Sequence, residues 1–369
     1  MKILYVTTVS VTMGFFPAHI RMLQEEGHTV ELACNLDEPL PEKVIKLGCT
    51  KHHIPFSRSP LSRDNVRAYR ELKRLLDEKH YDIVHTHTPN ASAVVRLTCR
   101  KLRKQGLKVF YTAHGFHFYD GAPWKNWLLF YPVEWLCSHW TDTLITINRE
   151  DYDRACKCFC AKMTAYVPGV GVDTTKFGCY GTRESKRQEL GIPQTATVLL
   201  TVGELNENKN QAVILRAMAE LKNPDLHYVL CGQGEKEDGL RQLARELGIT
   251  DRVHLLGFRH DVPEIYPATD IYLCPSFREG LNVSIMEAKA SGLPVICSDI
   301  RGNRDLVEES VNGLRCKPDD VTAFAEAIHR LMDDVEVSRA MGEHNRMAVE
   351  KVSLHRVVSS LKLLMSGIK

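Results

Sequence analysis

Two glutamates, Glu279 and Glu287, stand eight residues apart in the run SFREGLNVSIME, residues 276–287. The run follows an apolar, strand-like segment that ends near Cys274 and leads into a predicted helix. Glu279 is therefore expected in the loop and Glu287 within the helix. Carboxylates accept hydrogen bonds from hydroxyl groups, so this pair of acids suits a ligand that is rich in hydroxyls.

The residues between the two acids suit a different chemical group. Gly280 permits close approach of the backbone, and the N–H groups of Leu281, Asn282 and Val283 are free at the start of the helix. Such N–H groups bind phosphate well. A ligand with phosphates and a hydroxyl-rich ring on each side of them would satisfy both features, and a nucleotide sugar is such a ligand.

Three further loops that follow predicted strands carry a glycine, lysine or histidine. Gly203 and Lys209 lie in VGELNENKN, residues 202–210, which follows another predicted strand. His114 ends a predicted strand in YTAHGFHF, residues 111–118, and Gly14 lies in a loop near the chain start. We regard His117, His85 and His87 as wall or supporting residues.

Short β-rich runs alternate with longer helical patterns along the whole chain, as expected for an α/β protein with parallel sheets. In the first half the predicted strands are Ile3–Val9, Val30–Cys34, Ile83–Thr86, Val109–Ala113, Thr143–Ile147 and Thr164–Val167. In the second half they are Val198–Gly203, His227–Cys231, Val253–Leu256, Ile271–Cys274 and Val295–Ser298. Ligands bind beyond the carboxyl ends of such strands.

This pattern predicts two doubly wound, Rossmann-like domains that face an interdomain cleft. Residues 1–173 form the first domain, 174–194 a linker region and 195–354 the second domain, and 355–369 form a C-terminal helix. That helix carries an apolar stripe, for which packing is the simplest explanation. A chain of 369 residues is long enough for two such cores.

The composition excludes several classes of protein. No segment approaches the roughly 18 uninterrupted apolar residues that a membrane span needs, and the start MKILYVTTVSVTMG argues against export. The 12 cysteines are scattered, as expected in a reduced cytoplasm. The cluster of Cys156, Cys158 and Cys160 lacks a CxxC partner, and on a helix Cys158 would point away from the other two, so we predict no metal there.

Positive charge is concentrated in the first half of the chain, although the net charge is only +2. Residues 51–108 contain 14 basic and 5 acidic residues, including the cluster Arg96, Arg100, Lys101, Arg103 and Lys104. One interpretation is a pair of solvated helix faces. The other is a surface for an anionic membrane or a pyrophosphate-bearing partner. Nucleic acid is not expected, because aromatic residues are not interleaved and no binding motif is present.

The spacing of Glu279 and Glu287 resembles the E-x7-E motif of the retaining GT-B glycosyltransferases, and the resemblance to glycosyltransferase family 4 covers nearly the whole chain. The resemblance implies that Glu279 contacts the donor sugar and that Glu287 binds the nucleotide ribose. It also implies that His114 lies near the primary hydroxyl of the sugar, and that Gly14 lies beside the diphosphate.

One position departs from the family pattern of Gly-Arg, four residues, then Lys. Gly203 and Lys209 match it, but Glu204 replaces the arginine and cannot pair with a diphosphate. The cationic clamp on the leaving group is then incomplete, although Lys209 could still neutralise part of the charge that develops on the departing diphosphate, helped by the helix N-terminus near Leu281. Possible substitutes are Arg278, Arg301 and Arg304.

The segments TAHGFHFYDGAPWKNW, INREDY, YVPGVGVD and FREGLNVSIMEA are similar to those of bacterial enzymes that assemble capsular or exopolysaccharide repeat units. The resemblance implies transfer of a hexosyl or N-acetylhexosaminyl unit from a nucleotide-sugar donor, expected to be a UDP-sugar, to a lipid-linked saccharide, with retention and without a metal or other cofactor. It also implies a cytoplasmic protein, peripheral at the inner face of the membrane. The alternatives are a GT-B sugar-nucleotide epimerase and a catalytically silent sugar-nucleotide-binding protein.

Two other motifs in the chain do not support their usual functions. Gly232-Gln-Gly234 lacks the third glycine of a dinucleotide fingerprint, which excludes a dehydrogenase of that type. Asp151-Tyr-Asp153 is similar to the D-x-D that holds a metal in another glycosyltransferase fold, but it lies in a charged helical pattern. We therefore predict activity without a metal ion.

Overall fold

The computed structural model describes residues 1–177 and 183–367 and divides into two compact units. The first unit contains Met1–Val170 and Val357–Lys369, and the second contains Gly171–Arg356. Each unit is built on one parallel β-sheet with helices interleaved between its strands. The predicted class, an α/β protein with two Rossmann-like domains, is confirmed.

The first unit holds a seven-stranded sheet in the order β3-β2-β1-β4-β5-β6-β7. Its strands are β1 Lys2–Val9, β2 Thr29–Asn35, β3 Thr50–His53, β4 Ile83–Thr86, β5 Lys108–Ala113, β6 Thr143–Thr146 and β7 Met163–Tyr166. Its helices are α1 Pro17–Glu25, α2 Glu42–Ile45, α3 Asp64–Glu78, α4 Pro89–Cys99, α5 Trp124–Ser138 and α6 Arg149–Cys158. Short 3₁₀ helices cover Ser10–Phe15 and Leu102–Gln105.

The second unit holds a six-stranded sheet in the order β10-β9-β8-β11-β12-β13. Its strands are β8 Thr197–Val202, β9 Leu226–Cys231, β10 Val253–Leu255, β11 Ile271–Cys274, β12 Val295–Ser298 and β13 Gly313–Cys316. Its helices are α7 Arg183–Glu189, α8 Gln211–Leu221, α9 Glu237–Glu246, α10 Val262–Ile265, α11 Val283–Ala290, α12 Asn303–Leu306, α13 Val321–Asp333 and α14 Val335–Ala348. The helix α15, Leu354–Ser366, follows, and further 3₁₀ helices cover Glu207–Lys209, Thr250–Arg252, Tyr266–Ala268 and Val349–Val352.

The core of the first sheet explains why its central strands are apolar on both faces. Ile3 and Tyr5 of β1 belong to one apolar cluster, whereas Leu4 and Val6 belong to another. Successive side chains of a strand point to opposite faces, so both faces of β1 are covered. Burial on both faces favours continuous apolar runs, and these runs are what the sequence pattern detected.

Two strands, β3 and β13, were not predicted from the sequence. Both lie at an edge of their sheet, where a strand pairs on one side only. β3 reads Thr-Lys-His-His and none of its four residues is buried. An edge strand of this kind needs no apolar run, and its charged and polar side chains discourage pairing with another chain. The apolar pattern therefore gave no signal for it.

The C-terminal helix α15 packs on the first sheet. Val357, Leu361 and Met365 are buried in the same cluster as Ile3, which explains the apolar stripe in the sequence by packing. The predicted linker region 174–194 contains α7. Its residues 178–182, and residues 368–369 of the predicted C-terminal segment, lie outside the part of the chain that is described.

The predicted basic cluster needs a correction at Arg96. Arg96 is only 1% exposed, because its guanidinium donates to Glu134 at 2.8 Å and lies 4.3 Å from the centre of the Tyr111 ring. Arg103 also has a fixed partner, since its Nε donates to Asp142 at 2.8 Å. A buried charge is tolerated only with such partners. Arg100, Lys101 and Lys104 remain exposed.

The structure also refines the cysteine cluster near the end of α6. The helix ends at Cys158, so Cys160 is not an i,i+4 neighbour of Cys156 within it, and all three thiols are exposed. Within residues 1–177 and 183–367, no three His, Cys, Asp or Glu side chains are grouped so that they could hold a metal ion. In the same residues, no helix combines the length and apolar character needed to cross a bilayer.

Candidate active site

The loop after β8 is shaped by its glycine and asparagines. Gly203 has a φ of 154°, a region that favours glycine. The side chain of Asn206 accepts a hydrogen bond from the Lys209 backbone N–H at 3.0 Å, which starts the short 3₁₀ helix that ends at Lys209. Asn210 then takes a φ of 54° before α8 begins. This local geometry fixes the backbone from which the Lys209 side chain extends.

The loop after β11 is tied to the loop after β8. The Phe277 N–H donates to the Asn208 carbonyl at 2.8 Å, and the Asn208 side chain donates to the Arg278 carbonyl at 3.0 Å. β8 and β11 are neighbours in the parallel sheet, so both loops leave the same edge. The two predicted loops of this unit are therefore brought together.

Lys209 and Glu279 form an ion pair across these loops. Lys209 Nζ lies 2.7 Å from Glu279 Oε1, and their side chains are 21% and 13% exposed. Burial works against the charge on Lys209, but attraction by Glu279, Cys274 and Glu204 outweighs it, so the pKa of Lys209 is raised. The ammonium is therefore charged at neutral pH and already has a counter-ion that a more negative group could replace.

Glu204, at the position where the family has arginine, is exposed and close enough to Lys209 to favour its charge. Of the three possible substitutes for that arginine, Arg304 is engaged by Asp299, with 2.8 Å between Nε and Oδ1. Arg278 is exposed, and Arg301 is buried at 6% exposure.

The backbone next to Arg301 lies against the loop that carries Glu279. A Cβ atom added to its neighbour Gly302 would lie 2.2 Å from the carbonyl oxygen of Gly280, so the two backbones touch. Only glycine fits this close approach. The contact holds the loop after β12, which contains Arg301, against the loop after β11.

The N-terminus of α11 is capped by the side chain of its N-cap residue, Asn282. The Asn282 side chain accepts from the Ile285 N–H at 3.1 Å and donates to Cys274 Sγ at 3.3 Å, and it is buried. Leu281 is also buried, at 7% exposure. Because the Asn282 side chain is occupied, its contribution to a ligand would come from the backbone at the positive end of the helix.

Glu287 lies on α11, is partly buried and has a hydrogen-bond partner in Tyr266. Its Oε2 accepts a hydrogen bond from the Tyr266 hydroxyl at 2.9 Å. Burial raises the pKa of Glu287 to about 7, although Tyr266 and, less strongly, Lys176 act in the opposite direction. A carboxyl group of this kind is costly to keep without hydrogen-bond donors, and it is a strong acceptor for hydroxyls that reach it.

In the first unit, His114 follows β5 and belongs to a group of four histidines. Its Nε2 lies 3.3 Å from His87 Nδ1, and the rings of His85 and His87 are 4.1 Å apart. Burial, with smaller contributions from neighbouring histidines, lowers the pKa of His114 to about 4 and that of His85 to about 3. His114 is thus neutral at pH 7 and partly exposed. It can donate or accept a hydrogen bond without carrying charge.

The fourth histidine, His19, comes from α1. Its Nε2 donates to the Val170 carbonyl at 3.0 Å, and burial lowers its pKa to about 4. Phe16 lies against His87, with 4.2 Å between the ring centres. Neutral rings packed in this way hold the backbone around His114 in place. Nothing in the spacing of residues 16–19 along the sequence identifies them as part of this group.

The loop after β5 is held by two acids at the start of α6. Asp151 accepts from the Phe116 N–H at 3.0 Å and from the Asn148 side chain at 2.9 Å, and it is fully buried. Glu150 accepts from the Asp120 N–H at 2.8 Å. Asp153 is exposed. The two acids of the D-x-D motif thus have different environments, and Asp151 serves to position the loop that follows His114.

Gly14 lies inside the 3₁₀ helix Ser10–Phe15 and is buried. A Cβ atom at this position would lie 3.2 Å from Cγ of Pro41, which is tighter than normal packing. Glycine is therefore favoured here by packing, because Pro41 would have to shift by a few tenths of an ångström to admit a side chain. Gly232 and Gly234 have a similar explanation, since Cβ atoms there would lie 1.8 Å and 2.2 Å from the carbonyl oxygens of Gly203 and Leu205.

Two families match the two halves of the chain. Residues 18–176 match the family described as Glycosyltransferase Family 4, and residues 182–347 match Glycosyl transferases group 1. Together the two matches extend over most of both units. The predicted resemblance is confirmed by this finding and by the relatives below.

Two curated relatives extend over most of the chain. EpsD of Bacillus subtilis (strain 168), named as a candidate glycosyltransferase, is 38% identical over 366 residues, 98% of this chain and 95% of EpsD. An Escherichia coli protein named as UDP-Gal:alpha-D-GlcNAc-diphosphoundecaprenol alpha-1,3-galactosyltransferase is 31% identical over 322 residues, 85% of this chain and 82% of that protein.

Solved structures with the same fold include HepE of Anabaena in complex with UDP, with a TM-score of 0.84 at 20% identity and full coverage of both chains. WaaG, a glycosyltransferase involved in lipopolysaccharide biosynthesis, has a TM-score of 0.76 at 17% identity and covers 97% of this chain and 98% of its own. These likenesses establish the fold, which is the GT-B architecture that the sequence predicted.

Proposed function

Because the chain belongs to glycosyltransferase family 4, we propose that it transfers a hexosyl or N-acetylhexosaminyl unit from a UDP-sugar to a lipid-linked saccharide. Structures of HepE with UDP and with UDP-glucose support the choice of donor. The E. coli relative, whose name specifies a diphosphoundecaprenol-linked sugar, supports the choice of acceptor. The observation that carries the proposal is the Lys209–Glu279 ion pair next to the start of α11.

The donor is recognised at its two ends by the two glutamates. Glu287 accepts hydrogen bonds from the ribose hydroxyls, and Tyr266 holds its carboxyl group in position. Glu279 accepts from hydroxyls of the donor sugar. The diphosphate between them meets the backbone N–H groups of residues 281–283 at the positive end of α11.

Lys209 acts when the bond between the sugar and the diphosphate breaks. Negative charge then grows on the diphosphate, and a protonated lysine stabilises that charge more strongly than it stabilises the bound donor. Glu279 keeps Lys209 charged and oriented until the diphosphate competes for it. Arg301, whose neighbour Gly302 lies against Gly280, is our choice for the cation that replaces the family arginine.

We propose that His114 of the first unit contacts a hydroxyl of the donor sugar as a neutral hydrogen-bonding group. Its lowered pKa keeps the imidazole uncharged at neutral pH, which suits a contact with a sugar hydroxyl. His87, 3.3 Å away, orients it. We propose that the acceptor oxygen forms its bond to the anomeric carbon as the diphosphate leaves from the same face, and that the acceptor proton passes to a diphosphate oxygen. This path gives retention.

The proposed reaction needs no metal ion. Lys209 and the start of α11 supply the positive charge that a divalent ion supplies elsewhere, and Asp151 is engaged by Phe116 and Asn148. We place the reaction in the synthesis of capsular or exopolysaccharide repeat units, at the cytoplasmic face of the membrane. The full-length similarity to EpsD and the lipid-linked acceptor in the name of the E. coli relative support this assignment.

Ligand screening by thermal shift tests the donor, because a ligand that binds the folded protein raises its melting temperature with concentration. A UDP-sugar is expected to produce the largest shift in a panel of nucleotide sugars. Incubation with that donor and a lipid-diphosphate-linked sugar, followed by NMR of the product, then reports transfer and anomeric configuration. Binding of the donor without transfer or hydrolysis would instead identify a silent nucleotide-sugar-binding protein. Inversion at the anomeric carbon would contradict the proposed path.

A further inference from the structure

The outward half of helix α5 is almost entirely apolar. On α5 the exposed residues are Trp124, Lys125, Leu128, Leu129, Pro132, Val133, Trp135 and Leu136. At about 100° per residue, these positions cover roughly half of the helix circumference. Trp124, Leu128 and Leu129 are 68%, 65% and 63% exposed. A helix at the surface of a water-soluble domain normally turns polar side chains outward, so this face needs a partner.

The single acid of α5 is removed from that face. Glu134 points inward and is paired with Arg96 at 2.8 Å, both of them buried. The charge that the helix shows to its surroundings is therefore Lys125 alone. An apolar face without acids is compatible with a negatively charged surface.

The apolar surface continues beyond the helix. Leu61, on the loop before α3, is 94% exposed and lines a groove with Val94 of α4 and with Leu129 and Val133 of α5. The groove has a volume of about 400 Å³. A leucine so fully exposed beside Leu129 and Val133 extends the patch well past a single helix turn.

Positive charges stand at both ends of the face. Lys125 is at the beginning of α5. At its end, Arg103 donates to the His139 carbonyl at 2.8 Å, and the Arg100 guanidinium lies 5.8 Å from the centre of the Trp140 ring. These contacts hold the exposed cations of residues 100–104 beside the end of α5. Such charges attract the anionic headgroups of a bilayer.

We propose that α5 lies in the plane of an anionic lipid bilayer and inserts its apolar half among the acyl chains. At 15 residues it is about 22 Å long, too short to span a bilayer but typical of an interfacial helix. Trp124 and Trp135 would sit at the depth of the headgroups, where tryptophan is enriched. The inference deepens the proposed function and rests on it for one point, that the acceptor is carried on a lipid.

Co-sedimentation of the full chain with phosphatidylglycerol vesicles tests the proposal. In the triple variant Leu128→Ser, Leu129→Ser, Trp135→Ser, we expect the vesicle affinity to fall at least about tenfold, because three apolar side chains that insert into the bilayer in the proposal are lost. The matched control is Val335→Ser, Met347→Ser, Leu363→Ser, which changes exposed apolar residues elsewhere. The control should bind vesicles like the parent. Equal binding by the parent and the α5 variant would overturn the proposal.

A second variant tests the charges independently of the apolar face. Arg100→Glu, Lys101→Glu, Lys104→Glu leaves the buried Arg96 intact and should weaken binding to phosphatidylglycerol at low salt, with little effect on phosphatidylcholine. If the parent instead forms a dimer that the α5 triple variant dissociates, the face is a protein interface and the membrane proposal is wrong. Calorimetry with the UDP-sugar separates the two proposals, since both variants should bind the donor normally. A parent that binds vesicles but no nucleotide sugar would refute the proposed function and leave this inference standing.

Discussion

Lys209 Nζ lies 2.7 Å from Glu279 Oε1, although the two residues are 70 positions apart in the chain. Each comes from a loop that follows a strand, and the strands β8 and β11 are hydrogen-bonded neighbours. The pair thus places a charged ammonium beside the start of α11. Its role in the proposed reaction can be separated from a structural role by kinetics.

Lys209→Met and Glu279→Gln should act mainly on turnover. The charge that Lys209 stabilises grows as the sugar leaves, so kcat should fall by about 10²–10³ for Lys209→Met, the size found for other electrostatic groups of this kind. Steady-state kinetics measure this, with Lys222→Met, an exposed lysine of the same unit, as the control. A rise in KM with kcat intact would reassign both residues to recognition of the bound donor.

Glu287→Ala should weaken donor binding by about 1–3 kcal/mol, because ribose hydroxyls would be left unpaired. The affinity of the parent protein for the donor should also depend on pH. The pKa of Glu287 in the free protein is about 7, so the affinity of the parent should rise from pH 6 to pH 8 as the carboxylate forms. Calorimetry at several pH values measures both effects. An equally steep rise in Glu287→Gln would mean that another group titrates.

The same residue should affect stability in the opposite direction. Burial raises the folded-state pKa of Glu287 above its ordinary value of 4.5, so its contribution is fully present below pH 4.5 and is lost as pH rises through about 7. Glu287→Gln should therefore be more stable than the parent at pH 8, by about 1–3 kcal/mol. Urea unfolding measures the difference. A variant less stable than the parent at pH 8 would contradict the assignment.

The buried histidines should destabilise the fold in mild acid. Burial lowers the pKa of His19 to about 4 and of His85 to about 3, below the ordinary value of 6.5. Their neutral forms stabilise the folded state above pH 6.5, and this contribution is lost as pH falls toward the folded-state pKa. Glu287 has the opposite pH dependence, so the measurement is made in the Glu287→Gln variant. Urea unfolding of this variant should show a free energy of unfolding that falls between pH 7 and pH 4.5. Adding His19→Gln should make the free energy of unfolding fall less steeply with decreasing pH. An unchanged slope would mean that His19 does not contribute to the pH dependence.

Glu134→Gln should cost about 3–5 kcal/mol of unfolding free energy, because Arg96 would then be buried without its counter-ion. Thermal or urea unfolding measures the loss. The double variant Arg96→Met, Glu134→Gln should recover part of it. If the single variant were as stable as the parent, the pair would not be the buried ion pair described for α4 and α5.

Transfer activity should persist in EDTA, since Lys209 and the start of α11 provide the positive charge. Asp151→Asn should lower stability, because Asp151 accepts hydrogen bonds from Phe116 and Asn148. Activity assays with EDTA, and with Mg²⁺ or Mn²⁺ added back, check the first point. Activity lost in EDTA and restored by either ion would make Asp151 and Asp153 candidate ligands.

The amino-acid sequence by itself predicts two parallel-sheet domains and the loops that hold Lys209, Glu279 and Glu287. Buried strands in such sheets need long apolar runs, and the loops at their carboxyl ends follow directly in the chain. The order of strand, loop and helix is local information. For that reason the position of Glu279 in a loop and of Glu287 in a helix could be predicted, and the structure agrees.

Only the tertiary structure decided which side chains meet and which face outward. Arg96 and Arg100 are both arginines in one basic segment, yet Arg96 is buried against Glu134, which follows 38 residues later, and Arg100 is exposed. The same holds for Tyr266, which donates to Glu287. Such pairs depend on the order and register of strands that are distant in sequence, and charge or hydropathy along the chain does not encode that order. The tertiary structure also decided that the apolar face of α5 points outward, because a run of Trp and Leu is equally compatible with a buried helix until its neighbours are known.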